Sequence, residues 1–345
     1  MTTAQAVLDR KVVKDTINQM QAYVDTTAEQ QWEATYTYYR DQVEDLIQTY
    51  APQLGMASRL GMSAVSGSFL AFHEYKYGRD EYHPKQYSGA VEKNVLCTYH
   101  HAAHPLGSLD YAYRYAVERN HREPGTFSDE DLAWLPAVCT PHDLIMGNGR
   151  GHDERQSALL SIEVVTKLGL LMLPEGPIVP GITASGWNAE KQRQDFSLKH
   201  GHFSVQQAMC IGDLGPLGDQ HYLYQAVCIA AEDAGKLMHG RILQRQAAAA
   251  GVPLLGATVE TCMELFDERP VLMDYYKNIF WPKQLRLLTT YPKKAADPKI
   301  DSYPGFDGRL QNIDDATALS ADLQAGRLSA VGSLLRAREI MHEAF

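Results

Sequence analysis

Apolar residues recur along this 345-residue chain at intervals of three and four, and no segment sustains an alternation of two. A 3.6-residue period buries one face of a helix, whereas a half-buried strand needs a period of two. The pattern therefore predicts an all-α fold. It is plainest over residues 28–50, where Trp32, Tyr36, Tyr39, Val43, Ile47 and Tyr50 share one helical face before Pro52 and Gly55. This tyrosine stripe reads as core packing rather than as a ligand platform. A weaker pattern covers residues 4–24. Residues 56–77 are rich in Ala, Ser and Gly, side chains small enough to let helices approach closely.

Further helices are expected over 106–117, 153–173, 204–211 and 222–250, with two more over 258–288. Pro105 suits a first helical turn, where its missing N–H costs nothing. Ser128, with Asp131 three residues on, has the spacing of a capping box. The helix it opens carries Leu132, Leu135 and Val138, and Pro136 and Pro141 are expected to kink or stop it. Residues 78–89 and 289–308 read as connectors, residues 181–203 as polar and mixed, and 316–343 as a helical pair split near Gly326. This organises the chain as an N-terminal helical layer (1–90), a core (91–250) and a C-terminal extension (251–345). With no repeat and no low-complexity linker, these are expected to pack as one unit.

The formal charge of −10 argues against binding to duplex nucleic acid or an anionic membrane. An anionic small substrate remains compatible, because a bound cation inverts the local field. Five scattered cysteines form no C-x-x-C and read as free buried thiols in a reducing compartment. Asp9, Arg10, Lys11, Lys14 and Asp15 interrupt any apolar run near the start, so no signal peptide is expected. Apolar stretches such as 168–174 fall far short of the roughly 20 residues that span a bilayer. A cytoplasmic location is the expectation.

Chemistry concentrates in Tyr99-His100-His101-Ala102-Ala103-His104, in His142-Asp143, and in Ile211-Gly212-Asp213-Leu214-Gly215. Imidazoles with carboxylates suit a divalent first-row metal. The H-E-x-x-H signature is missing, since position 101 is His where the Glu would follow. A glycine-rich loop at 147–151 contains Arg150 and precedes His152, but no Gly-Lys-Ser/Thr follows it, so it is not a P-loop. Glu154 at a helix start is a candidate general base, with Asp153 competing for the role. Arg150, Arg155 and His152 are candidate phosphate contacts. His100 and His101 can orient a metal ligand or hold phosphate. His200 and His202 can supply ligands to a second metal.

Taken in order, four blocks resemble the HD-domain metal-dependent phosphohydrolase superfamily, nearest its small predicted phosphohydrolase members. The first is Tyr99 to His104 (Y-H-N-x-x-H in the family), and the second is the His142-Asp143-Leu144 dyad. The third is Asp153-Glu154-Arg155-Gln156-Ser157-Ala158 (N-E-x-x-S-A). The fourth is Ile182-Thr183-Ala184 followed by Asp213-Leu214-Gly215-Pro216-Leu217-Gly218 (A-T and D-L-x-x-L-G). The likeness covers about residues 95–235. His101 and Asp153 stand where the family has Asn, and Cys139-Thr140-Pro141 interrupts the apolar approach to the dyad.

The resemblance implies an HD-type helical core in which His104, His142, Asp143 and Asp213 hold one divalent ion, Mn, Fe, Co, Ni, Zn or Mg. Asp219 and Asp233 are the alternative fourth ligands. It further implies catalysis involving Glu154, Asp153 or His152 and substrate contacts from His100, Arg150, Arg155 and Thr183. The expected function is hydrolysis of a small phosphate ester or anhydride, such as a nucleotide, in a chain that can form homo-oligomers. Two other readings stand beside it. One is a di-iron oxygenase of the same fold, using His152 with His200 or His202. The other is a non-catalytic module that binds a nucleotide or metal.

Overall fold

The structure is a computed structural model that describes residues 3–26, 29–77, 99, 101–146, 152–167, 176–188, 193–194, 202–219, 221–237, 259–294, 297 and 299–343. Among these, helices dominate: α1 (Thr3–Thr26), α2 (Glu29–Tyr50), α3 (Met56–Tyr77), α4 (Ala103–Arg122), α5 (Asp129–Cys139), α6 (Asp153–Lys167), α7 (Ile178–Ser185), α8 (Phe203–Leu214) and α9 (Tyr222–Leu237). There follow α10 (Val259–Glu268), α11 (Pro270–Tyr275), a π-helical turn Tyr276–Phe280, α12 (Trp281–Lys294), α13 (Arg309–Gln324) and α14 (Ala330–Glu343). The one sheet among the described residues pairs β1 (Trp187–Asn188) with β2 (Arg193–Gln194), antiparallel and two residues long. The chain is all-α in class.

Most expected helices are present, with instructive differences. Residues 181–203 were expected to be polar and mixed; they begin inside α7, whose Ile178, Ile182 and Ala184 are buried. Eight residues are too few for the period to show. The connector expected from residue 289 starts later, because α12 runs on to Lys294. The calls on residues 78–89, 147–151, 168–173 and 238–250 lie outside the described residues, as do His100, Arg150 and His200.

Prolines explain part of this persistence. A proline inside a helix leaves the carbonyl four residues earlier without its N–H. Pro136 was expected to kink or stop α5, yet the helix continues to Cys139. The freed carbonyl of Leu132 accepts instead from the Tyr113 hydroxyl at 3.1 Å. Pro292 in α12 frees Leu288, whose carbonyl accepts from Arg309 Nη1. Buried carbonyls are thus paired by side chains where the backbone cannot pair them.

Packing groups the chain into two compact units. One comprises Met1–Tyr75, Ala102–Leu214 and Lys294–Ala296; the other comprises Lys76–His101, Gly215–Lys293 and Asp297–Phe345.

In the first unit α4 lies along α8, and α8 also meets α5 and α7. Helix α6 packs on α7 and α1, and α2 packs on α4. Tyr39, Val43 and Ile47 of the tyrosine stripe are buried, as core packing requires, while Trp32 and Tyr36 are half-buried. Small residues in α3 do allow close contact: a Cβ on Gly67 would come 2.8 Å from the Arg40 Cα of α2. The capping box at α5 is complete, with Ser128 Oγ accepting from Asp131 N and Asp131 accepting from Ser128 N.

The second unit has an aromatic centre in which Phe266, Tyr276, Phe280 and Trp281 are fully buried and in ring contact. Helix α13 ends in a Schellman motif at Gly326, which adopts φ +68°. Gly326 N donates to Leu323 O and Arg327 N to Asp322 O, so the split expected near Gly326 is there.

Candidate metal centre

Three segments of the first unit bring four ligating side chains together. His104 is in the first turn of α4, where Pro105 occupies a position whose N–H has no helical partner. His142 and Asp143 stand in the turn that follows α5. Asp213 is in the last turn of α8. The approach of α8 to α4 depends on Gly212, since a Cβ there would lie 2.4 Å from the Ser108 carbonyl oxygen. No larger residue fits without separating the helices, and Asp213 is the next residue.

The imidazole nitrogens His104 Nε2 and His142 Nε2 are 3.3 Å apart. Asp143 Oδ2 lies 3.0 Å from His142 Nε2 and 3.3 Å from His104 Nε2. Asp213 Oδ1 lies 3.4 Å from His104 Nε2 and 3.6 Å from His142 Nε2. All four ligand atoms fall within 4.8 Å of one another. Bonds of about 2.1 Å to a common ion place neighbouring ligand atoms about 3.0–3.4 Å apart. The group therefore fits a single metal ion.

The tautomer of His142 agrees. Its Nδ1 is 2.6 Å from the Cys139 carbonyl oxygen. A carbonyl only accepts, so Nδ1 carries the proton and Nε2 of the neutral ring presents its lone pair to the other ligands. Burial by itself would push the His142 pKa down, but the carboxylates of Asp143 and Asp213 outweigh it and hold that pKa well above the imidazole range. For Asp213, burial acts to raise the pKa, yet hydrogen bonds and charge from His104 and His142 bring it below the carboxylate range. The field of this cluster favours positive charge, whether a proton or a metal ion that replaces it.

The two histidine side chains are 4% and 1% exposed, against 21% and 20% for Asp143 and Asp213. One side of the centre is therefore open, where water or substrate can complete the coordination shell. Behind it, the thiols of Cys139 and Cys210 are buried, and their pKa values are pushed up by burial and then by the Asp213 charge. Neither belongs to the ligating group.

The competing fourth ligands are engaged elsewhere. Asp219 Oδ1 accepts from His221 Nδ1 at 2.5 Å and from His221 N at 2.7 Å. Asp233 accepts from the Tyr275 hydroxyl at 2.9 Å. Asp213 is the carboxylate that joins the group, and among the described residues no other set of His, Cys, Asp and Glu converges in this way.

The remaining candidates have mixed fates. Glu154 is half-buried at the start of α6, with its carboxyl carbon 3.3 Å from where a Cβ on Gly186 would stand. Asp153 opens α6, and His152 precedes it with its carbonyl accepting from Gln156 N. Arg155, expected at substrate, places Nε 3.1 Å from Oδ2 of the buried Asp9 in α1. Thr183, also expected there, donates its hydroxyl proton to the Val179 carbonyl at 2.6 Å within its own helix. His101 is half-buried, with its amide on the Tyr99 carbonyl. His202 is exposed at φ +47°, just before α8. Neither His152 nor His202 belongs to the ligating group.

Sequence reasoning missed the groups that hold the dyad. Pro141 leaves the Ala137 carbonyl without an N–H, and Ser161 Oγ donates to it at 2.9 Å. Ile145 N donates to Ser157 Oγ at 3.0 Å. Two serines four residues apart on a buried helix face were the available signal.

Compared with family models, curated proteins and solved structures, the chain matches none. Among the described residues no helix is long and apolar enough to cross a membrane.

Proposed function

We propose that this chain is a metal-dependent phosphohydrolase acting on a nucleotide or another small phosphate ester or anhydride. The observation that carries the reading is the convergence of His104, His142, Asp143 and Asp213 on one point with the two carboxylates partly exposed. The order of the motifs along the chain, which resembles that of HD-domain phosphohydrolases, supports it further.

A divalent ion bound in this centre would supply Lewis-acid polarisation of a phosphoryl oxygen and would acidify water at neutral pH. The protein's own groups do the rest. His142, fixed through Nδ1 on the Cys139 carbonyl, and His104 would hold the ion with their buried imidazoles. The partly exposed carboxylates of Asp143 and Asp213 would neutralise its charge. Glu154 accepts the proton of the attacking water, with Asp153 and His152 as the neighbouring acid–base groups. Asp153 and Glu154 open α6 and His152 precedes it, and a helix start favours an anion such as substrate phosphate. Of the proposed substrate contacts, Arg155 shares its charge with Asp9, which shifts the weight to Arg150 and His100.

Phosphate release from a panel of nucleotides and phosphomonoesters, with Mn²⁺, Co²⁺ or Mg²⁺ added, tests the reading. Release that disappears in Asp143→Ala is the expected result. Absence of release from every substrate, by a protein shown to contain metal, would overturn it.

A further inference from the structure

The His142–Asp143 turn is held from one neighbouring helix by two hydroxyls, and neither is a metal ligand. Helix α5 ends at Cys139, so its last carbonyls lose their helical donors. The structure shows who replaces them. The Pro136 carbonyl keeps its helical donor, Thr140 N at 3.1 Å, and also accepts from Thr140 Oγ1 at 2.7 Å. The Ala137 carbonyl, which Pro141 cannot serve, accepts from Ser161 Oγ. The Cys139 carbonyl accepts from His142 Nδ1. Beyond the dyad, Ile145 N is taken by Ser157 Oγ. Ser157 and Ser161 are fully buried, one helical turn apart on α6. One therefore grips the chain five residues before His142 and the other two residues after Asp143.

We infer that Ser157 and Ser161 are positioning residues of the metal centre. By fixing both ends of segment 137–145, they hold the Cys139 carbonyl where it selects the Nδ1–H tautomer of His142, and they hold Asp143 beside it. Tyr113 supplies an internal control. Its hydroxyl does the same chemistry, capping the carbonyl freed by Pro136, but it does so at Leu132, farther from the dyad on the same helix. If these hydroxyls matter only for general stability, all three are equivalent. If positioning matters, the two serines separate from the tyrosine. The inference rests on the reading of this cluster as a metal centre, and it does not depend on which reaction the centre catalyses.

The experiment is titration of the metal-free full-length protein with Co²⁺. Affinity and the visible absorption of the bound ion are read together, with thermal unfolding of each variant measured in parallel. Ser157→Ala and Ser161→Ala are expected to lose about 10- to 100-fold in Co²⁺ affinity, as loss of a group orienting a ligand does, and to shift the absorption bands. Tyr113→Phe is expected to lower the unfolding temperature while its Co²⁺ affinity stays within about twofold of the parent's. Ser161→Thr, which keeps the hydroxyl, is expected to recover the parent spectrum. Parent-like affinity and spectrum in both serine variants would overturn the inference, as would an equal loss in Tyr113→Phe. A parent protein that binds no Co²⁺ would instead overturn the metal centre itself. Metal binding without phosphate release would leave this inference standing and remove the phosphohydrolase reading.

Discussion

In the first unit, His142 and Asp143 meet His104 and Asp213 around one point. In the second, Asp219 takes both Nδ1 and the backbone N–H of His221 on a single oxygen. The residue types are the same, and the hydrogen-bond accounting is different. At His221 the ring donates directly to the carboxylate. Asp219 also accepts, through its carbonyl, from Tyr222 N at the start of α9 and from Asn312 Nδ2. Donors meet acceptors locally, and the pair closes a turn. At His142 the ring proton is spent on the Cys139 carbonyl, so Nε2 faces two carboxylates and a second imidazole. There the carboxylates of Asp143 and Asp213 face both imidazoles, an arrangement that favours a cation. A His–Asp pair can therefore offer a lone pair to a cation when its other nitrogen has already used the proton.

The largest test of this contrast removes ligands. His142→Ala and Asp143→Ala are each expected to reduce metal affinity by more than the roughly 100-fold that loss of an orienting group costs. Asp219→Asn and His221→Ala are expected to leave metal content unchanged. Metal analysis of the four purified variants decides, and metal lost on changing Asp219 would collapse the distinction.

A smaller effect is expected from helix spacing. Gly212→Ala must push α8 away from Ser108 of α4, at a cost of about 1–3 kcal/mol, as overpacking does, with weaker metal binding through Asp213. Gly107→Ala, in α4 with nothing within 4 Å of the added Cβ, should instead stabilise by about 0.5–1 kcal/mol. Denaturant midpoints with and without Co²⁺ separate the two.

In the second unit, Ser333 Oγ donates to the Ala330 carbonyl, so the Tyr276 hydroxyl is the donor to Ser333 at 2.8 Å. Tyr276→Phe should cost about 1 kcal/mol, the net worth of one hydrogen bond, with no change in metal affinity. A variant that unfolds more easily and also loses metal would show that the aromatic centre supports the site as well.

The smallest effect is expected at the thiols. Burial pushes the Cys262 thiol up to about 12, and the Cys139 and Cys210 thiols are raised by burial in the same direction. Thiolate is the reactive form, so at pH 8 these three should resist a thiol reagent in the folded protein and react once it is unfolded. Rapid labelling of Cys139 or Cys210 in the native protein would mean that the interior behind the metal centre is open.

Much of this organisation is legible in local sequence. The stripe of α2, the Ser128–Asp131 capping box and the break at Gly326 all rest on residues within a turn or two of one another. Helix α7 escaped because eight residues hold too few apolar repeats. The end of α12 escaped because Pro292 reads as a breaker until Arg309 is seen on the Leu288 carbonyl. The candidate ligands were legible as residue types. Arg155 and Thr183 were equally legible as substrate contacts; the structure adds that Arg155 Nε lies against Asp9 and that the Thr183 hydroxyl donates to the Val179 carbonyl.

By itself the sequence determined the all-α class, most helix positions and the shortlist of metal ligands, because periodicity, caps and prolines act through contacts four residues apart or fewer. Tertiary structure showed that Asp213, named by the resemblance, and not Asp219 or Asp233, lies with the other three. His104 and Asp213 are more than a hundred residues apart, and they meet because Gly212 lets α8 lie against α4. It also decided that the proton of His142 goes to the Cys139 carbonyl, since that geometry depends on where α5 ends and on the hydroxyls that pair its freed carbonyls. Convergence of this kind is a property of packing, and no local pattern in the chain encodes it.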